Sequence, residues 1–190
     1  IGSASTANLR FVFLGNLMIA VGATMNIASN VRTLIQQSAT LTANGAVNVG
    51  GGASVITVEA NNSPFGIEVN GTWNVTGSNA SFTSTGGWGR SFLRVNSGGR
   101  LRATNAIFDF GDKVFLDNGS ILNAGDLTGN SFNCPLTLPN NFLQHLGNNG
   151  QFEDVNILPG TVLSGQTLNL DLIGSASTAN LRFVFLGNLM

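Results

Sequence analysis

Four ionisable residues lie close together around the sequence DFGD, and their types could support chemistry. Asp109 and Asp112 are followed by Lys113 and Asp117. Two carboxylates that face one cleft can act as general acid and general base on a glycosidic bond. Asp109 and Asp112 could also hold Ca²⁺ with backbone carbonyls, but their spacing matches neither an EF-hand loop nor a nonapeptide calcium repeat. We favour solvated carboxylates around a turn, and therefore expect no catalytic residue and no metal site.

The single cysteine and the single histidine are the other candidates for chemistry. Cys134 and His145 could form a nucleophilic pair or supply two ligands of a metal site. Neither has a further Cys or His partner in the sequence, and one cysteine excludes an intrachain disulfide. We therefore expect Cys134 to fill space in the core or in a turn, and we expect no cofactor.

Arginines are concentrated in one segment, GRSFLRVNSGGRLR, that also contains aromatic residues. The segment includes Arg90, Arg94, Arg100 and Arg102, with Trp88 and Phe92 among them. Such a surface could bind an acidic glycan, or its arginines could pair with the acids at 109–117. The formal net charge of the chain is only −1. A nucleic-acid partner is therefore not expected, since binding to phosphates depends on Lys and Arg.

Five N-x-S/T sequons could accept N-linked glycans if the chain passes through a glycosylating pathway. They begin at Asn61, Asn70, Asn74, Asn79 and Asn118. The crowding of four sequons between positions 61 and 81 predicts one glycosylated face. Because Asn, Ser and Thr are abundant in this chain, several sequons are also expected by chance.

The composition is that of a folded chain with few charges. Of the 190 residues, 43% are hydrophobic and 9% are charged, against about 25% charged residues in typical globular proteins. Disorder is not expected from so many apolar residues, and the length allows one domain with a substantial core. No segment reaches the roughly 18 apolar residues of a membrane-spanning helix. No secretory signal peptide is recognisable.

The stretch IGSASTANLRFVFLGNLM at positions 1–18 occurs again, without a change, at positions 173–190. The sequence therefore restarts after 172 residues. We predict that residues 1–172 are one repeat unit of a tandem array and that residues 173–190 begin the next identical repeat. Two alternatives remain, namely a duplication introduced when the chain was made and a discrete subunit whose matching ends join its neighbours.

A shorter pattern, in which alternating apolar residues are separated by turns rich in Gly and Asn, recurs within the 172 residues. Apolar residues at every second position, as in Leu9, Phe11 and Phe13, are typical of short strands and not of helices. Such strands could form a sandwich, a barrel, an antiparallel meander or a solenoid. The restart of the sequence favours the solenoid, because only an open stack can continue into another copy. We predict an all-β parallel solenoid with about seven coils per repeat.

The five segments that carry the shorter pattern begin at Asn44, Asn70, Gly98, Asn118 and Pro159. They resemble the coils of the right-handed parallel β-helix of the pectin-lyase-like superfamily, especially in bacterial surface adhesins and giant repetitive extracellular proteins. The resemblance implies a right-handed winding. Enzymes of this superfamily act on acidic polysaccharides with clustered Asp beside Arg or Lys. The NTD, GHG and RIK elements of its polygalacturonases are absent from this sequence.

Residues 133–150 interrupt the pattern with two of the four prolines and the only histidine. This segment predicts a loop or a short helix that projects from the rod, where a ligand could bind. An irregular coil that covers an edge of the core is the alternative.

These features predict a structural, non-catalytic repeat of an extracellular fibre or giant cell-surface protein. The expected partner is another copy of the chain, stacked end to end through continuous β-coils or bundled side by side. Arg10, Val12 and Leu14 should face outward, and apolar residues of the duplicated stretch should be buried at the junction between repeats. These junction residues are Leu9, Phe11, Phe13, Leu181, Phe183 and Phe185.

Two other functions are kept as alternatives. An adhesin or glycan-binding module would need a shallow aromatic cleft at the surface, with Trp73 or Trp88. A polysaccharide lyase or hydrolase, which we favour least, would need the carboxylates of 109–117 to converge with an arginine.

Overall fold

The computed structural model describes residues 10–58, 65–85, 91–174 and 181–190, and almost all of its regular structure is β-strand. In chain order the strands are β1 (Arg10–Phe13), β2 (Leu17–Ile19), β3 (Thr24–Ile27), β4 (Arg32–Ile35), β5 (Thr40–Ala43), β6 (Ala46–Gly50), β7 (Ser54–Val58), β8 (Phe65–Val69), β9 (Thr72–Thr76), β10 (Ser81–Thr85), β11 (Ser91–Val95), β12 (Arg100–Thr104), β13 (Ile107–Asp109), β14 (Lys113–Leu116), β15 (Leu127–Thr128), β16 (Ser131–Phe132), β17 (Leu136–Leu138), β18 (Gln151–Phe152), β19 (Asp154–Ile157) and β20 (Arg182–Phe185). A short 3-10 helix occupies Asn140–His145.

Three parallel sheets form the sides of a rod, and the chain winds from one sheet to the next. The seven-stranded sheet has the order β1-β4-β7-β10-β13-β16-β18. The eight-stranded sheet has the order β2-β5-β8-β11-β14-β17-β19-β20, and the five-stranded sheet has the order β15-β12-β9-β6-β3. From β1 to β19 consecutive strands therefore lie in different sheets, and a strand pairs with its counterpart one turn away; β19 and β20, which follow one another in the chain, pair within the eight-stranded sheet. The predicted all-β parallel solenoid is confirmed.

The solenoid makes about six turns, one fewer than predicted. The third side of the rod loses its strands after β15. The 3-10 helix lies between β17 and β18, where a strand of the five-stranded sheet would be expected. Residues 161–174, predicted to alternate as a strand, have none and leave Leu163 and Leu172 exposed.

The core is a set of columns in which inward side chains of successive turns lie one above another. Parallel strands about 4.8 Å apart place equivalent side chains in direct contact. Phe82, Phe108, Phe132 and Phe152 form such a column, with ring centroids 5.1, 5.1 and 5.4 Å apart. Along strands such as β6 (AVNVG) and β7 (SVITV), buried residues alternate with partly exposed ones.

Three of the four Asn-Gly dipeptides, those that begin at Asn44, Asn70 and Asn118, mark a corner of the rod between the eight-stranded and five-stranded sheets. A Cβ on Gly71 would collide with the backbone carbonyl of Gly45 in the turn below, so only glycine fits there. The amide of Asn70 donates to Asn44 Oδ1 over 2.7 Å, and the amide of Asn96 donates to Asn70 Oδ1 over 2.8 Å. An asparagine ladder therefore joins three successive turns at this corner.

Candidate functional site

The two copies of the sequence RFVF lie at the ends of two different sheets. The first copy, β1, is the end strand of the seven-stranded sheet and pairs only with β4 there. The second copy, β20, is the end strand of the eight-stranded sheet and pairs with β19. Both pairs are parallel. One sequence can therefore extend the stack from two positions.

The contact between β20 and β19 combines an ion pair with apolar packing. The guanidinium of Arg182 donates two hydrogen bonds to the carboxylate of Asp154, over 2.8 and 2.7 Å. These hydrogen bonds, and then the charge of Asp154, raise the pKa of Arg182 above its ordinary value. Phe183 and Phe185 lie opposite Val155 and Ile157, whose side chains are fully buried. The second copy thus continues the inward columns of the stack.

At the N-terminal end of the rod, the inward side chains of β1 are less covered than those of β20 at the C-terminal end. Phe11 and Phe13 lie opposite Thr33 and Ile35, which are buried, so both phenylalanines belong to inward columns. Phe11 is nevertheless 47% exposed, because β1 is the end strand of its sheet. The burial predicted for Phe11 is therefore not found in this chain.

The other predicted junction residues divide between partial burial and exposure. Phe13, Leu181 and Phe183 are partly buried against the core, whereas Phe185 is exposed. Leu9 lies outside the described residues. Leu14, which was expected to face outward, is exposed. Burial at both ends is thus incomplete, as it is at the ends of any open stack.

The carboxylates of the DFGD region have different surroundings. Asp109 is exposed at the end of β13, and Asp112 pairs with Lys113 over 3.4 Å. Asp117 accepts a hydrogen bond from the backbone of Asn118. Asp112 lines a groove with Arg94, Lys113 and two phenylalanines, but Asp109 and Asp117 do not. Among the described residues, no three His, Cys, Asp or Glu side chains lie close enough to hold a metal ion.

Two arginines of β12, Arg100 and Arg102, pair with Asp126, an acid that the sequence did not indicate as a partner. Arg100 donates to both carboxylate oxygens of Asp126 over 3.0 and 2.7 Å, and Arg102 lies 3.5 Å from the same carboxylate. The hydrogen bond with buried Asp126 raises the pKa of Arg100. Arg94 lies over the ring of Phe115. The predicted pairing with residues 109–117 is therefore wrong for Arg100 and Arg102.

The spacing of an arginine and an aspartate by one turn could have revealed this pair. Asp126 follows Arg100 by 26 residues, a separation close to one coil of the predicted pattern. Trp88 and Arg90, the remaining residues of the predicted basic and aromatic surface, lie outside the described residues.

Trp73 belongs to the core and not to a surface cleft. Its side chain is 0% exposed and meets Phe82 edge to face, with centroids 6.2 Å apart. It lies in one inward column with Val47 and Leu101. The predicted aromatic cleft at Trp73 is wrong, because the second position after the corner glycine faces inward.

Cys134 and His145 occupy separate environments. Cys134 is buried, and its thiol donates to the carbonyl of Phe108 over 3.7 Å. Burial, above all, raises the pKa of the thiol to about 12, so it is protonated at neutral pH. The predicted space-filling role of Cys134 is confirmed. His145 lies partly exposed at the end of the 3-10 helix.

The segment 133–150 covers the core instead of projecting from it. Phe142, Leu143 and Leu146 are buried. The amide of Asn149 donates to the carbonyls of Leu127 and Leu146 over 3.1 and 2.9 Å, and its Oδ1 accepts from buried Asn130. The prediction of a projecting loop is therefore wrong, and the alternative of a coil over the core edge is confirmed.

The four described sequons border one side of the rod. Asn70, Asn79 and Asn118 are exposed at corners next to the five-stranded sheet, and Asn74 lies within β9 of that sheet. The amide of Asn74 donates to Asn48 over 3.0 Å, while its Oδ1 is buried. Asn61 lies outside the described residues.

A groove of about 440 Å³ lies at the C-terminal end of the rod, between the 3-10 helix and the irregular segment 161–174. Its lining is rich in amide groups and includes one acid and one aromatic ring. Among the lining residues are Asn140, Asn141, Gln144, Gln166, Asn169, Asp171 and Phe183.

The chain matches no protein-family model, and no curated protein or solved structure is significantly similar to it. The structure thus defines a parallel β-solenoid without assigning it to a known family. Within the described ranges, no helix is long and apolar enough to cross a membrane.

Proposed function

We propose that this chain is a structural, non-catalytic repeat of an extracellular fibre or giant surface protein, whose copies stack end to end through continuous β-coils. One observation carries this proposal. The second copy of the duplicated sequence adds to the eight-stranded sheet as a parallel strand, paired over four residues with β19. A repeat that begins on the last coil of its predecessor has this arrangement.

Two features support a mechanical role. Inward columns run through successive turns, so each turn covers the apolar surface of the one before it. Stacked solenoid units gain stability from contact with their neighbours, and open ends need a cap or another unit. Phe11, which belongs to an inward column at the N-terminal end and is 47% exposed, fits a unit that receives a neighbour.

We also propose the handedness, the origin and the location of this solenoid. A right-handed winding and an origin among pectin-lyase-like adhesin repeats agree with the parallel three-sided coil. A place outside the cell agrees with the low charge and the surface sequons.

A tandem chain tests the proposal. Residues 1–172 would be fused to the full 190-residue chain, and the maximum dimension of the product would be compared with that of the single chain by small-angle X-ray scattering. The eight-stranded sheet contains seven strand-to-strand steps between β2 and β20. At about 4.8 Å a step, the tandem rod should be longer by roughly 34 Å.

The control for this experiment is the same fusion with a flexible Gly/Ser linker of about 20 residues inserted at the junction. The linker breaks the continuity of the coils and should give two bodies with a broad distribution of separations. If the uninterrupted fusion behaves like the linker control, the copies do not stack and the proposal is wrong.

A second candidate function, the binding of a neutral glycan, is favoured by the amide-rich groove at the C-terminal end. Amides can hydrogen-bond sugar hydroxyls, and Phe183 supplies an apolar surface. Titration calorimetry of the full chain against neutral oligosaccharides would test it, with Asn169→Ala and Gln166→Ala as variants of exposed lining residues. Binding that both variants leave unchanged would place the ligand elsewhere.

A further inference from the structure

The N-terminal end of the solenoid presents two like charges beside exposed apolar side chains. Arg10 and Arg32 lie opposite one another in the register of β1 and β4, and both are exposed. Like charges opposite one another on neighbouring strands are destabilising. In the described part of the chain, neither arginine forms an ion pair. Phe11 and Val12, next to Arg10, are 47% and 38% exposed.

The C-terminal end shows which surface fits these residues. Arg182 and Phe183 have the same sequence context as Arg10 and Phe11. There the arginine donates from Nε and from one Nη to the two carboxylate oxygens of Asp154, and the phenylalanine lies opposite Val155. Asp154 therefore supplies the negative charge, and β19 supplies the apolar cover, that the N-terminal end lacks.

We propose that Arg10, Phe11, Val12 and Arg32 form a docking surface for β19 of a second copy of this chain. The inference rests on the proposed function, and it specifies the junction. In an array, β1 of each copy takes the place that β20 takes in this structure. Asp154 of the preceding copy then pairs with Arg10 and reduces the repulsion between Arg10 and Arg32.

The same docking turns each copy by one side of the rod. RFVF lies in the seven-stranded sheet as β1 and in the eight-stranded sheet as β20. Leu17 belongs to the eight-stranded sheet, whereas its duplicate Leu189 pairs with Gly160, which follows β19 in the chain. The second copies of RFVF and of Leu17 therefore each lie one side further along the winding than the first copies do. The eight-stranded sheet of one copy thus runs on as the seven-stranded sheet of the next.

Paired cysteines in the tandem chain test this junction. The pair Asn156→Cys in the first copy with Val12→Cys in the second copy tests the docking, because Asn156 lies opposite Val184, the duplicate of Val12, in the register of β19 and β20. Opposed residues on neighbouring strands have separations suitable for a disulfide. The matched control is Glu153→Cys in the first copy with Val12→Cys in the second copy. Glu153 directly follows β18, the end strand of the seven-stranded sheet, and would lie opposite Val12 if β1 continued that sheet. Cys134 would be replaced by Ala in both copies, and the cross-link would be located by peptide mass spectrometry.

The outcomes separate the inference from the proposed function. We expect at least tenfold more cross-link in the Asn156 pair than in the Glu153 pair, with the scattering of one long rod. Cross-linking of the Glu153 pair instead, in one long rod, would mean that the copies stack without the turn, and the inference would be overturned. Scattering from two separate bodies would overturn both the stacking and the docking.

A charge reversal in the full 190-residue chain provides a second readout that needs no tandem chain. Arg182→Asp places two acids side by side and should lower the Tm. Arg10→Asp changes the identical residue of the first copy, where the neighbour is Arg32, and should raise the Tm or leave it unchanged. Equal losses of Tm in both variants would contradict the assignment of Asp154 as the partner of this arginine.

Discussion

The ring of Phe108 stacks on the ring of Phe132, with centroids 5.1 Å apart and planes inclined by 8°. Phe82 stacks on the other side of Phe108 at the same centroid distance. Phe108 therefore contacts a ring on each face, in the middle of a column that spans four turns. Because consecutive turns share this column, the loss of its central ring should affect the turns on both sides.

We predict that Phe108→Ala lowers the free energy of unfolding by about 3–5 kcal/mol, the cost of a cavity where a large core side chain was removed. Urea unfolding followed by circular dichroism would measure it. Phe152→Ala, at the end of the column, should cost less because one face of Phe152 has no stacked ring among the described residues. Equal costs at the two positions would contradict the role assigned to the column.

The buried amides of Asn130 and Asn149 lead to a second prediction. Asn130 accepts from the backbone of Ala106 over 2.9 Å and donates to the carbonyl of Ala103 over 3.0 Å. Asn130→Ala leaves several buried groups without partners, and we expect a loss of about 2 kcal/mol or more in stability. Asn123→Ala, at an exposed side chain, is the matched control and should change stability by less than about 0.5 kcal/mol. Chemical denaturation would measure the free energy of unfolding of both variants, and equal losses would contradict the importance of the buried amide of Asn130.

Alternation and turns rich in Gly and Asn predicted short strands, and the restart of the sequence after 172 residues favoured a solenoid over a sandwich, a barrel or a meander. The inward position of Trp73 followed from the same pattern, since it is the second residue after Gly71, but its aromatic character suggested a surface cleft instead. Burial in a solenoid is decided by the register of the whole column, and Val47 and Leu101 lie in the same column. The column to which a residue belongs therefore predicts its burial better than its residue type does.

Contacts between turns were harder to predict from the sequence. The pair of Arg100 with Asp126 depends on which residues become neighbours after one winding, and coil lengths vary along the chain. The segment 161–174 alternates in sequence without forming a strand. The placement of RFVF on two different sides could not be predicted either, because identical sequences give no information about their different positions in the winding.

The sequons give a third prediction, for the chain secreted from a glycosylating host. Asn79 and Asn118 are exposed at corners, so glycans there point into solvent. A glycan on Asn74 would disturb its hydrogen bond to Asn48 and the burial of its Oδ1. Glycopeptide mass spectrometry of the folded fraction should find high occupancy at Asn79 and Asn118 and low occupancy at Asn74. High occupancy at Asn74 in folded protein would contradict this order.

The Cys134 thiol gives the last prediction, a loss of stability at alkaline pH. Burial raises its pKa in the folded chain from 9.0 to about 12, so the folded state holds the proton more tightly than the unfolded state. This contribution is complete below pH 9 and falls as the pH rises towards 12, by at most about 1.4 kcal/mol per pH unit. Urea unfolding at several pH values would measure the slope, and Cys134→Ala should remove this component. The native thiol should also resist a thiol reagent at pH 8 and react once the chain is unfolded. Rapid modification of the native chain would show that Cys134 is accessible and would contradict both expectations.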